Sequence, residues 1–162
     1  MLESQVHDLL GKGLPKIASA SFNALYPVGF QAALEPAHDY EVEGQVVASQ
    51  LIYSQNYQVY SFVVMDVSLI LKLGLRAFPK YGRSEIPKLV ISANGEALNT
   101  ITSKLAFLVG KVDEDATVAT TPPIVLNCSG PNRISLRGSE CHFLKLTAAD
   151  LSMLVIAVVQ QL

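Results

Sequence analysis

The chain has no tryptophan, only two cysteines and few charged residues, and these shortages exclude several classes of protein. Charged residues make up 16% of the 162 residues, the net charge is −2, and lysine and arginine form no run. A protein that binds nucleic acid or an anionic membrane needs clustered basic residues to neutralise phosphates. We therefore expect no nucleic acid and no membrane among its partners.

Metal-ligand spacings and targeting patterns are missing as well. The sequence contains no Cys-x-x-Cys or His-x-x-x-His spacing that would suggest zinc. Cys128 and Cys141 fall in strand-like segments, where a thiol is usually a small buried hydrophobe, and we expect no disulfide between them. The amino terminus lacks a signal-peptide pattern, and the strongest apolar run, residues 153–159, is far shorter than the ~20 residues of a membrane-spanning helix. These absences predict a cytoplasmic protein without a metal or cofactor of its own.

Apolar residues are plentiful, at half of the chain. That is enough to build a sizeable core at this length, and no shift in composition marks a linker. We therefore expect residues 1–162 to form a single domain. The apolar content of residues 143–159 exceeds what one face of a small sheet easily hides, and this predicts a homodimer formed through sheet strands.

The first half of the chain reads as one helix followed by strands. Residues 3–25 place apolar side chains at helical intervals, although Gly11, Gly13 and Pro15 predict a disturbed start. A meander of three antiparallel strands is expected next, because β-branched and aromatic residues are enriched in residues 30–34, 42–53 and 57–64.

The remaining segments complete an α+β pattern. Asp66 is placed to cap a short helix that ends near residue 75, at Gly74 and Pro79. Strand signals return in residues 117–128, 133–137, 141–146 and 151–159. The last of these runs is open between helix and strand, because residues 147–150 resemble a capping box while the β-branched residues favour a strand after a tight turn. The predicted fold is a largely antiparallel β-sheet with helices packed on one face.

A long helix between these two parts carries the candidate site. It is expected to open at Ser84 or Glu85, with Pro87 in its first turn, and to stop at Gly110. Its predicted buried stripe is Ile86, Val90, Ala93, Ala97, Ile101, Leu105 and Leu108. Its predicted exposed stripe includes Ser92, Glu96, Asn99 and Ser103.

Glu96 and Asn99 are the most informative pair on that stripe. Residues three apart project from neighbouring turns of one helix face, so a carboxylate and a carboxamide can enter the same partner cleft. The small residues Ser92, Gly95, Thr100 and Ser103 would let a partner approach closely, although Gly95 can equally serve to let this helix cross another element. The spacing by itself also occurs on ordinary solvated helices.

The order of elements around this pair carries a resemblance. Gly95-Glu96-Ala97-Leu98-Asn99 in a long helix, preceded by strands and a short helix and followed by the strand start Thr121-Pro122-Pro123-Ile124-Val125, resembles the CheC/CheX/FliY family of chemotaxis phosphatases. The resemblance covers nearly the whole chain and is greatest for the single-site CheX branch.

The resemblance implies a function and a role for each residue. It implies a phosphatase that dephosphorylates the aspartyl phosphate of a response-regulator receiver domain, with Asn99 positioning the attacking water and Glu96 anchoring to a basic residue of the receiver. Ser92 and Ser103 would complete the partner-binding face. Mg²⁺ is expected on the receiver domain, and a homodimer is again implied.

The chain also departs from the family's pattern. After Asn99 the residues Thr100-Ile101-Thr102-Ser103-Lys104 keep a small side chain at Ser103 but not the family's glycine. Two alternatives therefore stay open. The first is a docking module that binds a receiver domain or a flagellar or signalling partner without hydrolysis, and the second is a structural dimerisation domain with a solvated pair.

Other polar residues do not form a motif. His7, His38 and His142 lie in three separate predicted elements, and we expect core or surface roles for them. Asp113, Glu114 and Asp115 lack the alternation of a calcium loop and are expected to solvate a turn.

Overall fold

A mainly antiparallel sheet and three helices make up the part of the chain that the computed structural model describes, namely residues 2–36, 40–114, 117–128, 130, 132–134 and 140–162. The helices are α1 (Leu2–Leu25), α2 (Val67–Ala77) and α3 (Ile86–Val112). The strands are β1 (Gln31–Glu35), β2 (Tyr40–Val42), β3 (Gln45–Tyr53), β4 (Tyr57–Asp66), β5 (Ala119–Thr120), β6 (Ile124–Cys128), β7 (Asn132–Ile134), β8 (Glu140–Ala148) and β9 (Leu151–Gln161).

The main sheet has seven strands, in the order β1-β8-β9-β4-β3, and β3 pairs on its other side with both β5 and β6. Every pairing is antiparallel, as predicted. The predicted meander was wrong in one respect, because β1 pairs with β8 and lies far from β3. Strand propensity marks a segment as a strand but does not choose its partner, and here the partner is more than a hundred residues away in the chain.

The predicted strand over residues 42–53 is two strands in two different sheets. Gly44 adopts a φ of +63° and its N–H donates to the Cys128 carbonyl, so the chain turns between β2 and β3. β2 then pairs with β7 in a small second sheet. Val42 of β2 joins a separate buried cluster on the sheet face opposite the helices, together with Val47, Val64, Phe143, Ile156 and Val158.

This cluster changes the argument for a dimer. The strands over residues 143–159 bury alternate side chains on both faces of the sheet, some against the helices and others in the second cluster. The apolar excess of this segment is therefore hidden within the chain itself, so it gives no support to the predicted homodimer, which stays a prediction. A homodimer needs another surface.

The helix α1 is continuous through Gly11, Gly13 and Pro15, so the predicted disturbance of its first half was wrong. Pro inside a helix costs ~3 kcal/mol and each Gly up to ~1 kcal/mol. Full burial of an aliphatic or aromatic side chain contributes about 1.5–3 kcal/mol. The inward stripe of α1 is fully buried at Val6, Leu10, Leu14, Ala18 and Phe22, and this burial outweighs the local cost.

The helix α2 begins after Asp66, but not through the predicted cap. The Asp66 side chain makes no capping hydrogen bond, because Oδ1 instead accepts from Nε2 of Gln45 at 2.8 Å. Gly74 lies inside α2, three residues before its end, and a Cβ there would overlap the side chain of Ile86. This glycine therefore brings α2 and α3 into close contact.

The helix α3 begins at the predicted place, with Glu85 before its first residue and Pro87 in its first turn. It continues to Val112, so Gly110 does not stop it. Five residues of the predicted stripe are fully buried: Ile86, Val90, Ala97, Ile101 and Leu105. Ala93 and Leu108 are half-buried, and Leu98 and Val109 are buried instead, because α3 contacts both α1 and the sheet and its apolar arc is wider than one stripe.

The carboxyl-terminal run is the strand β9, which resolves the ambiguity of residues 151–159. Ala149 adopts a φ of +53° in the two-residue turn between β8 and β9. Cys128 and Cys141 are both described and are not joined by a disulfide, as expected. No helix in the described ranges combines the length and the apolar character needed to cross a membrane.

Candidate functional site

The candidate site is the face of α3 that points away from the core. Its four predicted residues are all exposed: Ser92, Glu96, Asn99 and Ser103. Ala97 and Ile101, on the opposite side, are fully buried. The predicted orientation of α3 is therefore confirmed, and the carboxylate of Glu96 and the amide of Asn99 reach solvent from neighbouring turns.

Glu96 stands apart from other charges. No described residue forms a hydrogen bond or an ion pair with its carboxylate, and its side chain is exposed. An unpaired carboxylate on a helix face can bind a cation of a partner without first breaking an internal salt bridge.

Asn99 is held on one side only. Its Oδ1 accepts a hydrogen bond from Nε2 of Gln50 at 2.9 Å. Gln50 lies on β3, is 2% exposed, and also donates from Nε2 to the Thr121 carbonyl at 2.7 Å. The oxygen of the Asn99 amide thus faces the protein and its NH₂ group faces solvent.

Sequence reasoning missed Gln50. The signal that could have found it is a polar residue at an inward position of β3, where its neighbours on the same face, Val46, Ala48 and Ile52, are apolar core residues. Nothing in the sequence pairs that position with Asn99, which is 49 residues away.

A bulge in the sheet edge borders the pair. Ser49 is opposite Ile124 and Ile52 is opposite Thr120, so two residues of β3 face the three residues Thr121-Pro122-Pro123. Proline cannot donate to the ladder. Thr121 is fixed to Leu51 instead, through its N–H at 2.9 Å and through Oγ1, which accepts from the Leu51 N–H at 3.1 Å. The predicted Pro-Pro interruption therefore lies beside the site.

Gly95, the glycine next to Glu96, is not needed for close contact between α3 and another element. Apart from its chain neighbours and the backbone of its own helix, no heavy atom of a described residue lies within 4 Å of the position where a Cβ of Gly95 would stand, so no other element needs a glycine there in order to approach α3. The interpretation that Gly95 lets α3 cross another element was therefore wrong. Further along, Phe107 lies one turn beyond Ser103, is 64% exposed, and has the Lys111 ammonium 4.5 Å from its ring centroid.

The remaining polar candidates lie elsewhere. The rings of His7 on α1 and His142 on β8 are tilted by 31° to each other with centroids 4.2 Å apart, while His38 lies outside the described residues. Asp113 is buried, and Oδ2 accepts from Nδ2 of Asn56 at 2.9 Å, so the expectation that it solvates a turn was wrong. Glu114 is exposed, and Asp115 lies outside the described residues.

Comparison with known proteins identifies the fold. No protein-family model matches the sequence, and no curated protein matches it either. Solved structures do match, over nearly the whole chain. The α+β fold, with its mainly antiparallel sheet and three helices, matches that of the CheC-like and CheX chemotaxis proteins, so the predicted resemblance is confirmed at the level of the fold.

Three of these structures illustrate the match. A CheC-like superfamily protein from Shewanella sp. PV-4 is 13% identical, with a TM-score of 0.69 over 94% of this chain and 97% of that chain. CheX from Desulfovibrio desulfuricans is 13% identical, with a TM-score of 0.67 over 94% and 99%. The CheX–CheY–BeF3–Mg²⁺ complex from Borrelia burgdorferi matches with 16% identity and a TM-score of 0.67 over 90% and 94%.

Proposed function

We propose that this chain is a phosphatase for the aspartyl phosphate of a response-regulator receiver domain, in chemotaxis or related two-component signalling in the cytoplasm. The observation that carries the proposal is the joint exposure of Glu96 and Asn99 on one face of α3 in a CheC/CheX fold. A receiver-type partner is supported by the neighbouring CheX structure, which contains CheY.

The chemistry suits so small a site. In the reaction a bond forms between the water oxygen and phosphorus, and the bond between the aspartyl oxygen and phosphorus breaks, with its electron pair leaving on the carboxylate. One proton of the water stays on the transferred oxygen and the other passes to a second oxygen of the released phosphate. Phosphoryl transfer proceeds through a loose transition state, so catalysis needs positioning and charge stabilisation more than covalent chemistry. Asn99 places one water in line, and Mg²⁺ with its acidic ligands comes from the receiver.

Glu96 anchors the partner. Its unpaired carboxylate would bind a basic residue of the receiver, and Ser92 and Ser103 leave room on both sides. The exposed ring of Phe107 would add an apolar contact at the end of the same face. Asn99 and Glu96 therefore have different tasks, one in turnover and one in docking.

The alternative is a docking module that binds the receiver or another signalling partner without hydrolysis. The departures after Asn99 favour it, since Thr100, Ser103 and Lys104 are all exposed and give the surface beside the amide a different shape and charge. This alternative predicts binding without phosphate release.

We also propose that residues 1–162 act as one domain and pair as a homodimer through β6. This strand pairs with β3 on one side, and no other described strand pairs with its second side. Ile124, Val125 and Leu126 are all exposed there, with Ile124 at 59% and Leu126 at 53%. An apolar edge strand with unused ladder groups is suited to pair with a second copy of itself.

The direct test is release of phosphate from phosphorylated receiver domains of the same organism. The wild-type protein is added to each receiver and the loss of phosphoreceiver is followed against its spontaneous hydrolysis. We expect acceleration with at least one receiver. Binding to a receiver without any acceleration would establish the docking module, and neither binding nor acceleration with any receiver would contradict both.

A further inference from the structure

Gln50 occupies an unusual position for a polar side chain. It faces the helix layer from β3, between Ala48 and Ile52 of the apolar core, and is 2% exposed. Burying an amide is unfavourable unless its groups are hydrogen-bonded. Two donated bonds from one nitrogen, to Thr121 and to Asn99, offset that cost.

The hydrogen bonds fix which way both amides point. The Thr121 carbonyl can only accept, so the atom of Gln50 that faces it must be Nε2. The second proton of this NH₂ group needs an acceptor, and the only atom that the Asn99 amide can offer for that is Oδ1. A flipped Asn99 would place two NH₂ groups against each other. The outward group of Asn99 is therefore its NH₂.

We propose that Gln50 is a positioning residue for Asn99, holding its amide with the oxygen inward and the NH₂ group toward the partner. This inference rests on the proposed function and gives the site a defined polarity. A water molecule that accepts an N–H bond on one lone pair keeps its other lone pair for attack on phosphorus. The NH₂ group of Asn99 would therefore donate a hydrogen bond to the water, while Oδ1 of Asn99 stays bound to Gln50.

The bulge explains how a core residue can perform this task. Since Pro122 and Pro123 interrupt the ladder, the Thr121 carbonyl is available to a side chain and fixes one end of the Gln50 amide. The opposite oxygen, Oε1 of Gln50, has no hydrogen-bond partner among the described residues, although it is buried. A buried oxygen without a protein partner calls for an explanation, and the positioning of Asn99 supplies one.

The test compares two Gln→Met substitutions in the same strand. Gln50→Met removes the bond to Asn99 with little change in volume. Gln45→Met removes the bond of another β3 glutamine, to Asp66, at the far end of the strand. We expect Gln50→Met to lower kcat about tenfold with little change in the Kd for the receiver loaded with beryllofluoride, and Gln45→Met to change neither. Unchanged or increased kcat in a folded Gln50→Met protein would overturn the proposal.

A second measurement needs no variant. The side-chain NH₂ of Asn99 should show a high ¹⁵N order parameter in the free wild-type protein, despite its exposure, and a low one in Gln50→Met. A mobile Asn99 amide in the wild type would overturn the positioning role even if phosphatase activity were found. An absence of phosphatase activity with a rigid Asn99 amide would instead contradict the proposed function and leave the contact with Gln50 intact.

Discussion

Glu96 and Asn99 share a helix face but have different surroundings, and this difference agrees with the separate tasks proposed for them. Glu96 has no partner among the described residues, whereas Asn99 accepts from Gln50. The exposure of both could be predicted, because helical periodicity alone fixes which residues oppose the Ala97 and Ile101 side. The contact between Asn99 and Gln50 could not be predicted, because it joins residues that are 49 positions apart in the chain and forms only when the sheet is assembled.

Substitution of Glu96 tests the docking role. Glu96→Gln keeps the shape of the side chain and removes its charge, so we expect weaker receiver binding by about 1–3 kcal/mol if the ion pair is desolvated, with kcat nearly unchanged. Titration of the receiver at low and high salt measures it, and the salt dependence should be smaller in the variant. A Kd equal to that of the wild type at low salt would show that Glu96 is not an anchor.

At the scale of elements, local signals placed most helices and strands but misjudged some of their ends. The β3–β4 hairpin, α3 and β9 were predictable from periodicity and turn residues. The continuation of α1 through Pro15 was not predictable, because it depends on the burial of the inward stripe of α1. The break at Gly44 was not predictable either, because it depends on the pairing of β2 with β7. Packing overrides propensity in the first case, and a partner strand fixes the turn in the second.

Two glycines in neighbouring helices should respond in opposite ways to alanine. Gly74→Ala forces a Cβ into the Ile86 side chain and should lower the free energy of unfolding by about 1–3 kcal/mol. The Cβ of Gly95→Ala would meet no described atom within 4 Å beyond its chain neighbours and the backbone of its own helix, so this variant should raise the free energy of unfolding by up to about 1 kcal/mol, because alanine favours the helix. Denaturant unfolding of the two variants measures both changes. A loss of stability in Gly95→Ala as large as that in Gly74→Ala would contradict this account of the two positions.

An ion cluster ties α2 to the turn between β8 and β9. The carboxylate of Asp150 forms ion pairs with Lys72 and with Arg76, whose Nη2 lies 2.7 Å from Oδ1. Hydrogen bonds from these two cations, Lys72 first, lower the pKa of Asp150 from its ordinary value of 3.8 to about 2. Because the folded-state pKa is depressed, the contribution of Asp150 to stability is present above pH 3.8 and is lost as the pH falls through about 2. We expect the stability difference between wild type and Asp150→Asn to shrink over that window. A difference that stays constant between pH 5 and pH 2 would contradict it. Salt should also reduce the difference, since the cluster is exposed.

At the scale of the whole molecule, the class of fold was predictable and the topology was not. Alternating patterns and one long amphipathic helix are enough to indicate a largely antiparallel sheet with helices on one face. The pairing of β1 with β8, and the small sheet over the second face, depend on contacts between the two ends of the chain. These contacts also explain why the apolar residues 143–159 are hidden without a second subunit.

The proposed homodimer can be tested on its two sheet edges. Leu126 on β6 and Leu34 on β1 are exposed leucines on opposite edge strands, at 53% and 47%. We expect a wild-type mass in solution of about twice the 17.5 kDa of the chain, a monomer for Leu126→Lys, and an unchanged dimer for Leu34→Lys. Analytical ultracentrifugation at micromolar concentration measures this. A monomeric wild type, or a dimer that only Leu34→Lys dissociates, would show that β6 is not the interface.

The central claim is that Asn99 acts in the transition state of receiver dephosphorylation, and Asn99→Ala tests it most directly. Single-turnover phosphate release is measured beside the Kd for the same receiver loaded with beryllofluoride. Loss of a positioned donor typically costs about a hundredfold or more in rate, so the account predicts a fall of that size in kcat with a nearly unchanged Kd. Wild-type rates in a folded Asn99→Ala protein that still binds the receiver would contradict it.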